Sequence, residues 1–288
     1  MRDVWADGAG YESYVGRWSR SVAREFLRWL AVPPGSAWLD FGCGTGALSQ
    51  TILAEGSPRR VIGSDRSAAY VAFARQQTAD ARAEFVVAEL PNLPSIDEGF
   101  DAVVAGLVLN FLPTPVHGVA AMATRARHGA TVAAYVWDYS ESMQLMRIFW
   151  DAAVSLDAAA RELDEGVRFP LCRPDALRAL FESAGIRDVQ VQPIVVPTVM
   201  HNFDDYWTPF LSGQGPAPGY VASLSPAQRA RLRDTIRESL PTSPDGSIPL
   251  SAGAWAVKGL LRNLLPRSAN AALPRGYYGT PQRDRHIP

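Results

Sequence analysis

Cysteine and lysine are scarce in this 288-residue chain, and histidine is little more common. Its two cysteines, Cys43 and Cys172, are too few for a disulfide framework or a thiolate zinc site. The four histidines show no ligand-like spacing, so no metal site is predicted. Lys258 is the only lysine among 28 basic residues, and 29 acidic residues bring the net charge to −1. This balance gives no electrostatic reason to expect a nucleic-acid-binding protein, although a local patch stays compatible with it.

Long hydrophobic runs are also absent from the sequence. No apolar run approaches the roughly 18 to 20 residues that a bilayer span needs, and the N-terminal residues lack the apolar region of a secretion signal. We therefore expect a cytoplasmic protein that does not bind membranes. Hydrophobic residues make up 47% of the chain, which predicts a globular protein with a sizeable core.

Short apolar runs alternate with helical segments in the first half of the chain. The runs at 37–41, 60–64, 84–88, 100–104 and 131–137 read as strands, with helices at 44–55, 67–78 and 116–127 between them. Such alternation predicts an α/β fold with an open, doubly wound sheet. The second half has predicted helices at 141–157 and 174–184, strand-like runs at 189–200 and 248–259, and a capping-box helix that starts at Ser225.

The sequence LDFGCGTG at 39–46 joins the first predicted strand to the first predicted helix. Glycines at alternate positions let the backbone turn tightly and lie against a ligand. Asp65 follows Gly46 by 19 residues, at the end of the second predicted strand. A carboxylate at that position can accept hydrogen bonds from both hydroxyls of an adenosine ribose. The pattern therefore predicts an adenosine-containing ligand.

Two classes of ligand fit this geometry. Gly42, Gly44 and Ala47 match a relaxed dinucleotide fingerprint, which would indicate an NAD-dependent oxidoreductase. Asp40 argues against this interpretation, because a carboxylate two residues before the first glycine would repel a pyrophosphate. The same carboxylate suits S-adenosylmethionine, which carries a sulfonium and an ammonium group and has no phosphate.

The motifs LDFGCGTG, VIGSD and FVVAELPNLPSIDEGFDAVVAGLVLNFL occur here in that order. Together they resemble the class I S-adenosylmethionine-dependent methyltransferases, in the small-molecule branch near the ubiquinone/menaquinone (type 11) enzymes. The resemblance implies a Rossmann-like, seven-stranded, mostly parallel sheet whose last two strands, 189–200 and 248–259, form an antiparallel hairpin. It implies a methyltransferase domain over 1–259, with an N-terminal lid or helix at 1–35, a helical insert at 201–247 and a tail at 260–288.

The resemblance also implies which residues bind the cofactor. Asp65 would hold the ribose, Arg66 would lie beside the adenine, and Glu89 would accept a hydrogen bond from the adenine amino group. In the lid, Tyr14 could cover the sulfonium and Arg17 could pair with the methionine carboxylate; packing of Trp18 on the core is the alternative. The remaining implied cofactor contacts are Asp40, Gly42, Cys43, Gly44, Gly46, Leu90, Ala105 and Gly106.

The methyl acceptor is expected at the carboxyl ends of the fourth and fifth strands, under the 201–247 insert. The aromatic residues of that insert suit a flat or apolar small molecule. If the acceptor must lose a proton, Asp138 and His201 are the candidate bases. Packing of the aromatic residues into the structure is the alternative. The predicted acceptor contacts are Asn110, Trp137, Tyr206, Trp207 and Phe210.

Two alternatives to a small-molecule methyltransferase stay open at this point. Arg229, Arg233 and Arg237 fall on one helical face and could grip RNA phosphates, although Asp234 and Glu238 interleave with them and favour an ordinary solvated face. The protein could also bind S-adenosylmethionine without catalysing a reaction.

Overall fold

The computed structural model of this protein describes residues 17–212 and 215–261. In this part of the chain, helices pack on both faces of a single seven-stranded sheet. The strands are β1 (Ala37–Phe41), β2 (Arg60–Asp65), β3 (Ala83–Val87), β4 (Phe100–Gly106), β5 (Ala126–Trp137), β6 (Arg187–Met200) and β7 (Ile248–Leu260).

The strand order across the sheet is β3-β2-β1-β4-β5-β7-β6. Neighbouring strands from β3 to β5 are parallel, whereas β7 runs antiparallel to both β5 and β6. This arrangement confirms the predicted Rossmann-like sheet with its antiparallel C-terminal hairpin. Because β6 therefore runs in the same direction as β5, the insert that follows β6 leaves the sheet at the edge where β1, β2 and β4 also end.

Ten α-helices are described in residues 17–212 and 215–261. Three short 3₁₀ helices also occur there, at Leu109–Phe111, Ala158–Glu162 and Thr208–Leu211. The α-helices are α1 (Arg17–Leu30), α2 (Ala47–Glu55), α3 (Ala68–Gln77), α4 (Pro115–Arg125), α5 (Gln144–Leu156), α6 (Glu165–Arg168), α7 (Pro174–Ser183), α8 (Phe203–Trp207), α9 (Pro216–Ser223) and α10 (Pro226–Ser239).

Local sequence signals account for several of these elements. All five residues of β1 are buried, as expected for a strand that lies between two parallel neighbours and is covered on both faces. The Ser67 side chain accepts a hydrogen bond from the Tyr70 N–H and caps α3. Ser225 and Gln228 form the predicted capping box of α10. None of the described helices is both long and apolar enough to cross a membrane.

The structure differs from the predicted elements in several places. Helix α2 begins at Ala47 rather than at 44, because Gly44 and Gly46 adopt positive φ angles that a right-handed helix excludes. The insert contains α8, a 3₁₀ helix and α9 in addition to α10; these are short and punctuated by proline and glycine, so they show no helical periodicity. Strand β7 ends at Leu260, one residue after the predicted end.

Candidate active site

A cavity of about 390 Å³ lies at the carboxyl ends of β1, β2 and β4. Its walls include Gly42 from the turn after β1, Asp65 from the end of β2 and Leu107 from the segment after β4. Open parallel sheets bind their ligands at this edge, because the loops that follow the strands converge there. The cavity is therefore the candidate cofactor site.

The glycine turn after β1 borders this cavity with its backbone. Gly42 has a φ of 71°, and a Cβ at this position would collide with the side chain of Val108. The N–H groups of Gly42 and Cys43 donate hydrogen bonds to the carbonyl oxygen of Ser64, at 2.7 and 3.0 Å, and so fix the turn against β2. Gly44 has a φ of 52° and faces open space. A ligand can therefore approach the backbone there without meeting a side chain.

Asp65 ties the glycine turn to the start of α3. Its Oδ2 accepts a hydrogen bond from the Gly44 N–H at 3.0 Å, and its Oδ1 accepts one from the Ser67 N–H at 2.8 Å. An ionised carboxylate offers about four lone-pair positions, so each oxygen can accept a further hydrogen bond. The side chain thus holds the turn in place and keeps the capacity to accept from two hydroxyls of a ribose.

Asp40 places a fully buried carboxyl group in the cavity wall. Its Oδ2 accepts a hydrogen bond from the Ser49 hydroxyl at 2.7 Å, whereas its Oδ1 has no hydrogen-bond partner in the part of the chain that the structure describes. Burial raises the pKa of Asp40 to about 7, and the nearby Asp65 acts in the same direction. A cationic ligand would supply the missing partner and stabilise the ionised form.

The thiol of Cys43 also lines the cavity. Burial, together with the nearby carboxylates of Asp40 and Asp65, raises the pKa of this thiol well above its usual value. The thiolate is the nucleophilic form of cysteine, so Cys43 is unsuited to nucleophilic catalysis and shapes the wall instead.

Beyond β2 and β3 the cavity becomes more polar and more open to solvent. Arg66 and Glu89 are exposed there, and the backbone of the segment after β3 is tied to β2 by a 3.0 Å hydrogen bond from the Ala88 N–H to the Asp65 carbonyl oxygen. The lining residues on this side are Arg66, Ser67, Tyr70, Ala88, Glu89 and Leu90.

The opposite end of the cavity is largely apolar. Phe111 keeps 41% of its surface exposed at this end. Polar atoms come from Ser19 in α1 and from the hydroxyl of Tyr135, which would lie only 2.7 Å from a Cβ at Gly106. A larger residue at position 106 would therefore displace the phenol. The apolar lining consists of Leu107, Val108, Phe111, Leu112 and Pro113.

The structure brings most of the predicted cofactor residues into one wall. Gly46 does not line the cavity and instead begins α2, and Ala105 is buried within the sheet. Tyr14 lies outside the described residues, and Arg17 begins α1 with a side chain that is also outside the described part. The predicted residues that line the cavity are Asp40, Gly42, Cys43, Gly44, Asp65, Arg66, Glu89, Leu90 and Gly106.

The two candidate bases lie outside the cavity lining. The buried carboxylate of Asp138 accepts hydrogen bonds from backbone N–H groups and hydroxyls of residues 140–142, and it thereby holds the turn after β5. His201 is exposed, and its Nδ1 lies 3.0 Å from Oδ2 of Asp205. This geometry does not support a role as general base for either residue, because a base must be within reach of the proton that it removes.

The aromatic residues predicted to cover the acceptor pack into the protein core instead. Tyr206, Trp207 and Phe210 are buried, and none of them lines the cavity. The Tyr206 hydroxyl donates a 2.9 Å hydrogen bond to the Leu145 carbonyl oxygen, and the ring of Phe210 stacks on that of Phe149 at 4.5 Å. The insert therefore packs on α5, and these three aromatic residues stabilise the fold instead of covering the cavity.

The cavity residues that the sequence did not point to include Ser19, Phe111 and Tyr135. Phe111 directly follows the predicted contact Asn110, and Tyr135 precedes the predicted contact Trp137 by two residues on the same side of β5. Neither Asn110 nor Trp137 lines the cavity. Gly106 pairs with Tyr135 across β4 and β5, and this pairing would have indicated that Tyr135 borders the cavity. The pairing is visible only once the strand register is known.

Comparison with known proteins identifies the domain that contains this cavity. Residues 39–130 match a family model described as a methyltransferase domain. Residues 39–130 therefore belong to a methyltransferase domain. Its cofactor is S-adenosylmethionine. The matched residues of the methyltransferase domain include the glycine turn, Asp65, Glu89 and the apolar segment after β4.

Two solved structures share the fold of the methyltransferase domain. The phosphoethanolamine N-methyltransferase 2 of Haemonchus contortus, in complex with S-adenosyl-L-methionine, is 14% identical with a TM-score of 0.56, over 89% of this chain and 58% of that one. The YcgJ protein of Bacillus subtilis is also 14% identical, with a TM-score of 0.55, over 84% of this chain and 99% of that one. At these identities the likeness concerns the fold alone.

Curated relatives are similar in sequence over part of their length. The probable tRNA methyltransferase 9B of Bos taurus is 31% identical over 140 residues, which are 48% of this chain and 29% of that protein. The chain thus spans less than a third of the length of this relative.

The residues of the methyltransferase domain fit the charge of the cofactor. Asp40 lies in the cavity wall with one buried oxygen that has no hydrogen-bond partner among the described residues, and Gly44 exposes its backbone where a side chain would block a ligand. A nicotinamide dinucleotide would instead bring a pyrophosphate next to two carboxylates, those of Asp40 and Asp65. The electrostatics of the cavity therefore favour S-adenosylmethionine over a dinucleotide.

Proposed function

We propose that the protein transfers the methyl group of S-adenosylmethionine to a small, flat or apolar molecule. The observation that carries this proposal is the apolar end of the cavity, where Phe111, Leu112 and Pro113 follow β4 and one aromatic ring is exposed. An apolar wall with a few polar atoms is typical of sites for small molecules. The acceptor would enter past Phe111.

S-adenosylmethionine supplies an electrophilic methyl group on a sulfonium. The residues of this chain hold the donor: Asp65 binds the ribose, and Asp40 balances its positive charge. The apolar segment after β4 excludes water from the reacting face and orients the acceptor for in-line displacement. Such positioning can supply most of the rate, so no general base is required by this mechanism.

At the apolar end of the cavity the polar side-chain groups are hydroxyls, those of Ser19 and Tyr135. No histidine borders the cavity in the part of the chain that the structure describes. We therefore expect an acceptor whose nucleophilic atom reacts without giving up a proton to an imidazole. We infer that the Tyr135 hydroxyl orients a polar group of that acceptor.

The proposal is tested by tracing a labelled methyl group. The protein is incubated with S-adenosylmethionine carrying a radioactive methyl group, together with separated low-mass and RNA fractions of a cell extract. We expect label in an apolar low-mass product. Label in RNA would make the protein an RNA methyltransferase, which the similarity to a probable tRNA methyltransferase makes a necessary arm of the test. Cofactor binding without label in any fraction would indicate a protein that does not catalyse methyl transfer.

A variant of the apolar end tests where the acceptor binds. Phe111→Ala should raise KM for the labelled acceptor and leave the Kd of the cofactor nearly unchanged. Val195→Ala is the matched control, because Val195 is also exposed but lies on the edge strand β6 and does not line the cavity. Equal effects of the two substitutions would show that the acceptor does not bind near Phe111.

A further inference from the structure

Helix α10 presents three arginines on one face, outside the methyltransferase cavity. Arg229, Arg233 and Arg237 are spaced by one helical turn each and cover roughly 12 Å of helix at 1.5 Å per residue. The face is also flanked by two carboxylates, Asp234 and Glu238. We define these three arginines as the α10 arginine face.

Salt-bridge partners distinguish the α10 arginine face from several other arginines of the described chain. Arg24 pairs with Glu55, for example, and Arg147 pairs with Asp164. Within residues 17–212 and 215–261, no carboxylate forms a salt bridge with Arg229, Arg233 or Arg237. No direct ion pair therefore neutralises these three charges, although Asp234 and Glu238 lie beside the face.

Apolar packing holds these side chains in place instead of ion pairs. The guanidinium of Arg237 lies 4.2 Å from the ring centre of Phe203, and that of Arg233 lies 5.6 Å from the same ring. Two like charges thus share one aromatic ring, which stabilises each of them but leaves their mutual repulsion. The Nε atoms of Arg229 and Arg233 are buried and lack a hydrogen-bond partner among the described residues. An anion on this face would reduce the repulsion.

We propose that the α10 arginine face binds the phosphate backbone of a nucleic acid. Its length of roughly 12 Å suits a row of anionic groups better than a single phosphate, and guanidinium groups are suited to phosphate oxygens. No large hydrophobic side chain of α10 is exposed, so the face lacks the apolar side that an interfacial membrane helix needs. Contacts to the backbone predict binding with little dependence on base sequence.

The α10 arginine face belongs to an insert that leaves the sheet at the same edge as the cavity. The insert follows the carboxyl end of β6, which runs parallel to β5, and so leaves the sheet at the edge where the cavity lies. None of the insert residues that the structure describes lines the cavity. The proposal is therefore independent of the proposed small-molecule acceptor, and either one can fail without the other.

Fluorescence anisotropy with a labelled single-stranded 20-nucleotide RNA tests the proposal on the full-length protein. We expect binding at low salt, and a double variant Arg233→Gln/Arg237→Gln should bind about tenfold more weakly. The slope of log K against log salt should fall by about 1.4 in this variant, at about 0.7 for each lost phosphate contact on a single strand. Arg231→Gln is the matched control, because Arg231 lies on the opposite side of the same helix and is also exposed.

Each outcome decides for or against the proposal. The proposal is supported if the double variant loses affinity and salt dependence, Arg231→Gln does not, and both keep the cofactor affinity of the unmodified protein. It is overturned if the RNA does not bind, or if the two variants weaken binding equally. Binding to vesicles of anionic phospholipid without binding to RNA would show a membrane surface instead and would also overturn it.

Discussion

Asp40 carries the charge complementarity of the cavity, and its chemistry depends on pH. The carboxyl group is buried and has one oxygen without a partner, so the protonated form is favoured while no cation is bound. A bound cation favours the ionised form and lowers the pKa, and binding then releases a proton. Cofactor affinity and the protonation of Asp40 are therefore coupled.

This coupling predicts that the methyltransferase domain binds its cofactor more tightly as the pH rises. With a pKa of about 7 in the free protein, Asp40 must lose its proton on binding below that pH. The Kd of S-adenosylmethionine should therefore fall by up to about tenfold per pH unit between pH 5.5 and 7 and level off above, as measured by calorimetry. The variant Asp40→Asn should bind more weakly and with little pH dependence.

Methylthioadenosine serves as the control ligand for Asp40, because it keeps the adenosine and carries neither the sulfonium nor the ammonium. Its affinity should be nearly independent of pH in the same range. A pH dependence that survives in Asp40→Asn would assign the proton to another group.

Asp65 is the second residue whose role can be measured directly. Its carboxylate oxygens each accept one backbone hydrogen bond and have room for one from the ribose. Asp65→Ala should weaken cofactor binding by about 1.5–3 kcal/mol, the usual range for hydrogen bonds to a charged group. Asp97→Ala provides the matched control, since Asp97 is exposed and does not line the cavity. Unchanged binding in Asp65→Ala, or tight binding of NAD, would contradict the assignment of the ligand.

At the scale of elements, the insert at 201–247 shows how composition can mislead. Its aromatic residues suit a binding site by type, but α8 and the 3₁₀ helix after it turn them onto α5. The element that supplies the apolar wall is the segment after β4, which has only one aromatic residue, Phe111, among those that line the cavity.

Trp207→Ala tests the structural role of the insert. Because Trp207 is buried against Phe203 and Phe210, we expect a loss of about 3–5 kcal/mol in the free energy of unfolding, the usual cost of truncating a buried aromatic side chain. Urea unfolding measures the loss. In the protein that remains folded, KM for the acceptor should stay close to its original value. A stable Trp207→Ala protein with altered acceptor choice would show that the insert contributes to acceptor binding.

At the scale of the whole molecule, β7 completes the sheet by pairing with both β5 and β6. Leu261, just after β7, donates a hydrogen bond from its N–H to the Ala130 carbonyl oxygen at 3.0 Å and accepts one from the Gly129 N–H at 2.8 Å. These bonds complete the ladder between β5 and the end of the described chain. The fold described for residues 17–212 and 215–261 therefore needs Leu260 and Leu261.

Two truncated chains test where the fold ends. A chain that stops after Arg262 should melt within about 1–2 °C of the full-length protein. A chain that stops after Lys258 loses the two backbone hydrogen bonds of Leu261 and also the pairing of Gly259 and Leu260 with the neighbouring strands. The two Leu261 bonds alone, at about 2 kcal/mol together, correspond to a fall of about 4–8 °C in Tm, so we expect a fall of at least this size. Differential scanning calorimetry compares the two. A large fall in Tm for the longer chain would show that residues after 262 stabilise the domain.

The sequence alone determined the sheet, the cofactor turn and the ligand class. Buried parallel strands are continuous apolar runs. The glycine turn is also a local pattern, since one acidic residue precedes it and another ends the next strand. Both patterns are therefore visible without coordinates. The family resemblance added the antiparallel hairpin formed by the last two strands.

Only the tertiary structure decided which side chains face the cavity. Whether Asp138 is a base or the anchor of a turn depends on the hydroxyls and N–H groups of residues 140–142, and the packing of Tyr206 depends on Leu145, 61 residues away. The orientation of a side chain is set by strand register and by contacts distant in sequence, and neither is encoded in local periodicity. The chemistry of the cofactor turn was therefore predictable, whereas the shape of the apolar end of the cavity was not.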